Sequence, residues 1–91
     1  MIQIDQTLRE AVRHYGEDKQ ILMLFEEMAE LQNAICKYTR DRDCRQHVCE
    51  EIADAMIMLD QMSIIFGENK VNAFYDEKVD RLKKRMEEEK P

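Results

Sequence analysis

The feature that most constrains this chain is a series of apolar residues at helical spacing in its first half. They recur at intervals of three and four residues, which places side chains on one face of an α-helix; they are Ile21, Leu24, Met28, Leu31, Ile35 and Tyr38. The pattern predicts a long amphipathic helix over about 18–38. Such a helix buries its apolar face against other helices, so we expect a helical bundle.

The same periodicity, with residues typical of helix ends, predicts three further helices. Asp5 is a plausible N-cap for the first, and glycines end the first and the third; these helices span about 5–15, 47–66 and 69–88. The chain lacks β-branched clusters bounded by turn residues, which would indicate strands. We therefore expect an all-α fold, an antiparallel four-helix bundle in which residues 1–91 form a single domain.

The composition of the chain limits the classes of partner and the cellular compartment that we expect. The chain has 20 acidic and 14 basic residues, a net charge of −6, which disfavours a nucleic-acid polymer as partner. It shows no signal-peptide pattern and no apolar run long enough for a membrane span, so we expect no membrane partner. Its odd number of cysteines, three, argues against a disulfide framework, and we expect a cytoplasmic protein.

The third predicted helix is apolar around most of its circumference. One stripe contains Val48, Ile52, Met56, Leu59 and Phe66, and other apolar residues lie beside and opposite it, namely Ile57, Met58, Met62, Ile64 and Ile65. A helix of this kind is covered on most sides, and a chain of 91 residues has too few helices to cover it. We therefore expect a homo-oligomer, a dimer or a tetramer.

Acidic residues interrupt the apolar pattern at two matching places. Glu27 and Glu30 lie one turn apart at the edge of the second helix's core face, and Glu51 and Asp54 repeat this spacing on the third helix. Glu26 lies further round, on the side of Asn33 and Lys37, and is expected to face solvent. Two antiparallel helices can bring both pairs face to face. Four converging carboxylates form an oxygen site suited to Mg²⁺ or Mn²⁺.

The spacing E27-M-A-E30, twenty residues, then E51-I-A-D54 resembles the ExxE…ExxD signature of the MazG-like all-α nucleoside triphosphate pyrophosphohydrolases. The resemblance extends over about residues 21–85. It implies an oligomeric enzyme that hydrolyses a nucleoside triphosphate to the monophosphate and pyrophosphate, as in clean-up of nucleotide pools. It also implies that the four acids are the Mg²⁺ ligands and the catalytic residues; which carboxylate is the general base stays open.

The sequence indicates the phosphate-binding residues less clearly than it indicates the metal ligands. Many relatives carry a lysine one turn before the first acidic pair, where this chain has Met23. The basic fourth helix offers other phosphate partners, or a solvated basic face; its cations are Lys78, Arg81, Lys84 and Arg85. His47 lies between two cysteines, but further zinc ligands are lacking, so we interpret it as a residue at a helix start.

Three alternatives remain open. A helical dimer could bind nucleotides or a protein partner without turnover. Residue 23 is a methionine where many relatives have a lysine, which keeps this alternative open. A purely structural bundle could carry the same acids on solvated faces. The related phosphoribosyl-ATP pyrophosphohydrolases share the acid pattern, but they usually have an aromatic–histidine pair where this chain has Met56, Ile57 and Met58.

Overall fold

The computed structural model describes residues 4–90, and this part of the chain is helical without any strand. The helices are α1 (Gln6–Tyr15), α2 (Glu17–Arg40), α3 (Arg45–Phe66) and α4 (Glu68–Glu88), with a short 3-10 helix, Arg42–Cys44, before α3. The prediction of an all-α fold with four helices is confirmed. Each helix begins and ends within two residues of its predicted bounds.

Local interactions explain why the helix ends are so well defined. The Asp5 side chain accepts a hydrogen bond from the backbone N–H of Thr7 at 2.7 Å, which satisfies one of the free donors at the start of α1. Gly16 and Gly67 follow α1 and α3 with φ of 86° and 129°. Residues with a Cβ rarely adopt these angles, so each glycine ends one helix and lets the next begin at once.

The packing of the helices supports a helical bundle centred on α2 and α3. These two helices form the most extensive contact, α1 packs on both of them, and α4 packs on α3. An ion pair at 2.6 Å between Arg9 of α1 and Glu68 of α4 also joins these two helices. The buried apolar residues come from the N-terminal segment, α2 and α3; they are Ile4, Ala34, Ala55, Met58 and Met62.

The single chain leaves much apolar surface uncovered. In α2, the fully buried residues are Gln20 and Ala34, whereas Met28 and Ile35 of the predicted core stripe are exposed. No residue of α4 is buried. The radius of gyration is 16.1 Å, against about 12 Å expected for a compact chain of this length. Within residues 4–90, no helix is both long and apolar enough to cross a membrane.

Candidate metal centre

The candidate site lies midway along the contact between α2 and α3. Glu27 and Glu30 lie one turn apart on α2, and Glu51 and Asp54 lie one turn apart on α3. We call these four residues the acidic cluster. Both helices are anchored close by, because Ala34 and Ala55 are buried only a few residues from the acids. The helix segments that carry the acids therefore adjoin buried residues on both helices.

The structure brings three of these acids together directly. Glu27, Glu51 and Asp54 each offer one carboxylate oxygen, and these three oxygens all lie within 4.8 Å of one another. Glu30 lies outside that triad but remains close, because its charge acts on both Glu27 and Glu51. The predicted convergence of the two pairs is therefore found, with Glu30 at its edge.

Two oxygens of the cluster are buried and make no hydrogen bond. They are Oε2 of Glu27 and Oε2 of Glu51, and the side chain of Glu51 is only 13% exposed. A carboxylate oxygen removed from water without a partner is costly. Among residues 4–90, one basic side chain lies within 4.0 Å of the cluster: His47, whose Nε2 lies at that distance from Oε1 of Glu51. The protein itself leaves most of the negative charge unbalanced.

The pKa values of two acids in the cluster also reflect this unbalanced negative charge. Burial raises the pKa of the Glu27 carboxyl above its ordinary value, and the negative charges of the other three acids raise it further. Burial and the charges of Glu30 and Asp54 likewise raise the pKa of Glu51, while His47 opposes this rise. A cation held between these carboxyls would act in the opposite direction and favour their charged forms.

A divalent cation fits this environment. The donors are all carboxylate oxygens, which is the ligand class that Mg²⁺ and Mn²⁺ prefer. A cation would supply the partner that the two buried oxygens lack, and it would reverse the repulsion that raises both pKa values. Glu27, Glu51 and Asp54 are placed to hold such an ion, and Glu30 can join them from the edge.

A cleft of about 400 Å³ opens beside the cluster. It is lined by Glu30, Asn33, Ala34, Lys37, His47 and Glu51. Sequence analysis placed Asn33 and Lys37 on the solvent-facing side of α2 with Glu26. Both are indeed exposed, yet they also form one wall of this cleft. The sequence feature that could have identified Lys37 as a cleft residue is its spacing of seven residues from Glu30, which is two helical turns along the same face.

The basic residues of α4 lie elsewhere. Lys78, Arg81, Lys84 and Arg85 are exposed, and the lining of the cleft includes none of them. Arg81 pairs with Glu77 and Lys84 pairs with Asp80, each at 3.4 Å within α4 itself. Within residues 4–90, no basic side chain of α4 lies within 4.0 Å of an acid of the cluster. The role of these cations in phosphate binding stays a prediction.

Comparisons with protein-family models, curated proteins and solved structures found no match to this chain.

Proposed function

We propose that this protein is a Mg²⁺-dependent nucleoside triphosphate pyrophosphohydrolase, which hydrolyses a nucleoside or deoxynucleoside triphosphate to the monophosphate and pyrophosphate. The observation that carries the proposal is the acidic cluster, in which three carboxylate oxygens lie within 4.8 Å of one another and two buried oxygens lack a partner. The resemblance of the acid spacing to the MazG-like enzymes supplies the reaction, and the adjoining cleft offers space for a substrate.

The four acids have two tasks in this proposal. Glu27, Glu51 and Asp54 hold the metal, with Mn²⁺ as a possible substitute for Mg²⁺. When bound, the metal supplies charge neutralisation for the triphosphate and a lower pKa for a coordinated water. A carboxylate of the cluster then accepts the proton of the attacking water. We assign this task to Glu30, which lies next to the triad without belonging to it.

We further propose that the helices form an antiparallel bundle completed by a second copy of the chain. Residues late in α2, such as Lys37, share the cleft with His47 early in α3, as expected for an antiparallel pair. A groove between α3 and α4 is almost entirely apolar; it is lined by Met56, Leu59, Asp60, Met62, Ser63, Phe66, Val71 and Tyr75. Phe66 is 68% exposed in the single chain. A partner of the same composition would cover this surface, in a dimer or as half of a tetramer.

The free thiols support a proposal about the compartment. All three cysteines are free, and free thiols persist in the reducing cytoplasm. We therefore propose a cytoplasmic enzyme acting on the nucleotide pool.

The function is tested by pyrophosphate release from a panel of canonical and modified triphosphates, with phosphoribosyl-ATP included. We expect Mg²⁺-dependent release from at least one substrate, and loss of at least a hundredfold in Glu51→Gln, because this change removes a buried ligand. Glu50→Gln is the matched control: it is the neighbouring residue on α3, it is exposed, and it loses the same charge. Equal activity in both variants would overturn the assignment.

The same panel separates the alternatives. Binding of nucleotide with Mg²⁺ but without turnover would identify a sensing or interaction module. Turnover restricted to phosphoribosyl-ATP would identify the related enzyme family. A purely structural bundle would show neither binding nor a change in thermal stability when Mg²⁺ and nucleotide are added.

A further inference from the structure

The cleft carries opposite charges at its two ends. Glu30 and Glu51 belong to the acidic cluster, while Lys37 and His47 line the same cleft further along both helices. Lys37 lies two turns after Glu30, about 10 Å along α2 and about 20° from it around the helix axis. His47 lies one turn before Glu51 on α3. The cleft therefore runs from the metal ligands to a basic end.

The lysine of this cleft has no acidic partner within the part of the chain that the structure describes. Within residues 4–90, Lys37 lies within 4.0 Å of no carboxylate and makes no side-chain hydrogen bond. His47 is too far from Glu51, at 4.0 Å, for a hydrogen bond. The α4 cations differ, since Arg81 and Lys84 are paired with acids one turn away. Lys37 is thus the lysine of the cleft that is available to an anionic ligand.

The start of α3 contributes to this part of the cleft through His47. Cys44 occupies the N-cap position without a side-chain hydrogen bond, and the first turn of α3 contains no acidic residue. The N-terminus of a helix carries a partial positive charge, which acidic residues usually offset. His47 belongs to this first turn and lines the same cleft as Lys37. Asn33, on the Lys37 side, adds an amide that can donate hydrogen bonds.

We propose that Lys37, with Asn33 and His47, forms the phosphate-binding end of this cleft and takes the pyrophosphate portion of the triphosphate. This inference rests on the proposed function, because it assumes that the acidic cluster holds the metal, about 10 Å along α2 from Lys37. A polyanion bound across both ends meets a metal ion at the acids and an ammonium group at Lys37. Lys37 is a substrate-binding residue and leaves the chemistry to the acids.

The test compares Lys37→Gln with Lys37→Arg, which keeps the charge, and with Lys83→Gln, an exposed lysine of α4 as control. The first probe is inorganic pyrophosphate with Mg²⁺, measured by titration calorimetry. Loss of one charge-assisted contact in an open cleft is expected to weaken pyrophosphate binding about tenfold in Lys37→Gln. Lys37→Arg and Lys83→Gln are expected to bind within about twofold of the unaltered protein. The Mg²⁺-induced rise in melting temperature should be the same in all variants.

Kinetics give the second readout. Lys37→Gln is expected to raise KM for the triphosphate about tenfold with little change in kcat, because the contact exists before the transition state. Inhibition by the nucleoside monophosphate should not change. Equal pyrophosphate affinity in Lys37→Gln and the unaltered protein would overturn the inference. If that variant bound pyrophosphate equally but were less stable, Lys37 would only stabilise the end of α2, and the inference would again be wrong.

The two proposals fail in different ways. If the protein hydrolyses triphosphates and Lys37→Gln behaves as the unaltered protein does, the reaction is right and the assignment of Lys37 is wrong. If pyrophosphate binds with Mg²⁺ and depends on Lys37 but no triphosphate is hydrolysed, the site stands and the enzyme assignment fails. Absence of pyrophosphate binding at millimolar concentration overturns the site itself.

Discussion

Substitution of Glu27 by glutamine should have opposite effects on stability with and without metal. Without metal, Glu27 adds a charge to a group whose oxygens lie within 4.8 Å of one another, and its Oε2 is buried without a partner. Two like charges at that distance repel by about 1 kcal/mol in water and about 3 kcal/mol at an effective dielectric constant of about 20. Since Glu27 is half-buried, removal of its charge should stabilise the metal-free protein by about 1–2 kcal/mol.

That free energy corresponds to a measurable change in melting temperature. For a domain of this size, 1 kcal/mol shifts the midpoint by roughly 4–8 °C, so Glu27→Gln should melt about 5–15 °C above the unaltered protein in the presence of a chelator. With Mg²⁺ at about a hundred times its Kd, the unaltered protein gains about 2.7 kcal/mol. The variant has lost a ligand and should gain much less, so the order of the two melting temperatures reverses.

The assay is thermal unfolding followed by circular dichroism, at one protein concentration because an oligomer's midpoint depends on it. Glu26→Gln is the control, since Glu26 is the exposed neighbour on the same helix and loses the same charge. Its melting temperature should follow that of the unaltered protein in both conditions. The reasoning is refuted if Glu27→Gln is less stable than the unaltered protein in chelator, or if Mg²⁺ stabilises both to the same extent.

Three further predictions concern pH, the oligomer and the core. The pKa values of Glu27 and Glu51 are raised in the folded protein, so folding favours the protonated forms of these carboxyls. The metal-free protein should therefore lose stability as the pH rises above about 4.5 and through the raised pKa values. Denaturant titrations from pH 4 to 7 test this, and constant or rising stability would contradict it. Phe66→Glu places a charge on the exposed apolar groove and should shift the protein to monomers in light scattering; an unchanged oligomer would exclude this face from the interface. Met58→Ala empties a site that is 4% exposed and should cost about 2–4 kcal/mol in urea unfolding; a cost under about 1 kcal/mol would show that Met58 is not core.

The helices could be predicted from sequence because their ends are set locally. Asp5 caps α1 through its own side chain two residues from its partner, Thr7, and Gly16 and Gly67 adopt positive φ at the ends of α1 and α3. None of these features depends on distant parts of the chain. The register of the acids was predictable for a similar reason, because spacing along a helix fixes direction around it.

The arrangement of the helices was less predictable. The apolar stripe of α2 predicted a buried face, yet Met28 and Ile35 are exposed, and the buried residues of α2 are Gln20 and Ala34. Burial depends on which neighbour covers each face, and periodicity does not contain that information. The same holds for α4, whose apolar residues lie open in one chain. A partner subunit is the physical reason we infer for this difference.

The cleft shows why part of the site was missed. Lys37 and Asn33 were grouped with Glu26 because an isolated helix has only a core side and a solvent side. The start of α3 adds a second wall, with His47 opposite Lys37, and turns part of the solvent side into a concave surface. Such a surface is a property of two helices together. Sequence reasoning about single helices therefore found the acids at the core edge and missed the basic end.

Identification of the reaction products tests the central claim most directly. A triphosphate that the protein accepts is incubated with Mg²⁺, and the products are separated by ion-exchange chromatography. We predict one nucleoside monophosphate and one pyrophosphate for each triphosphate consumed, with no reaction in chelator and at least a hundredfold slower reaction in Asp54→Asn. Formation of nucleoside diphosphate and phosphate, or unchanged turnover in Asp54→Asn, would contradict the claim that the acidic cluster of α2 and α3 is a pyrophosphohydrolase centre.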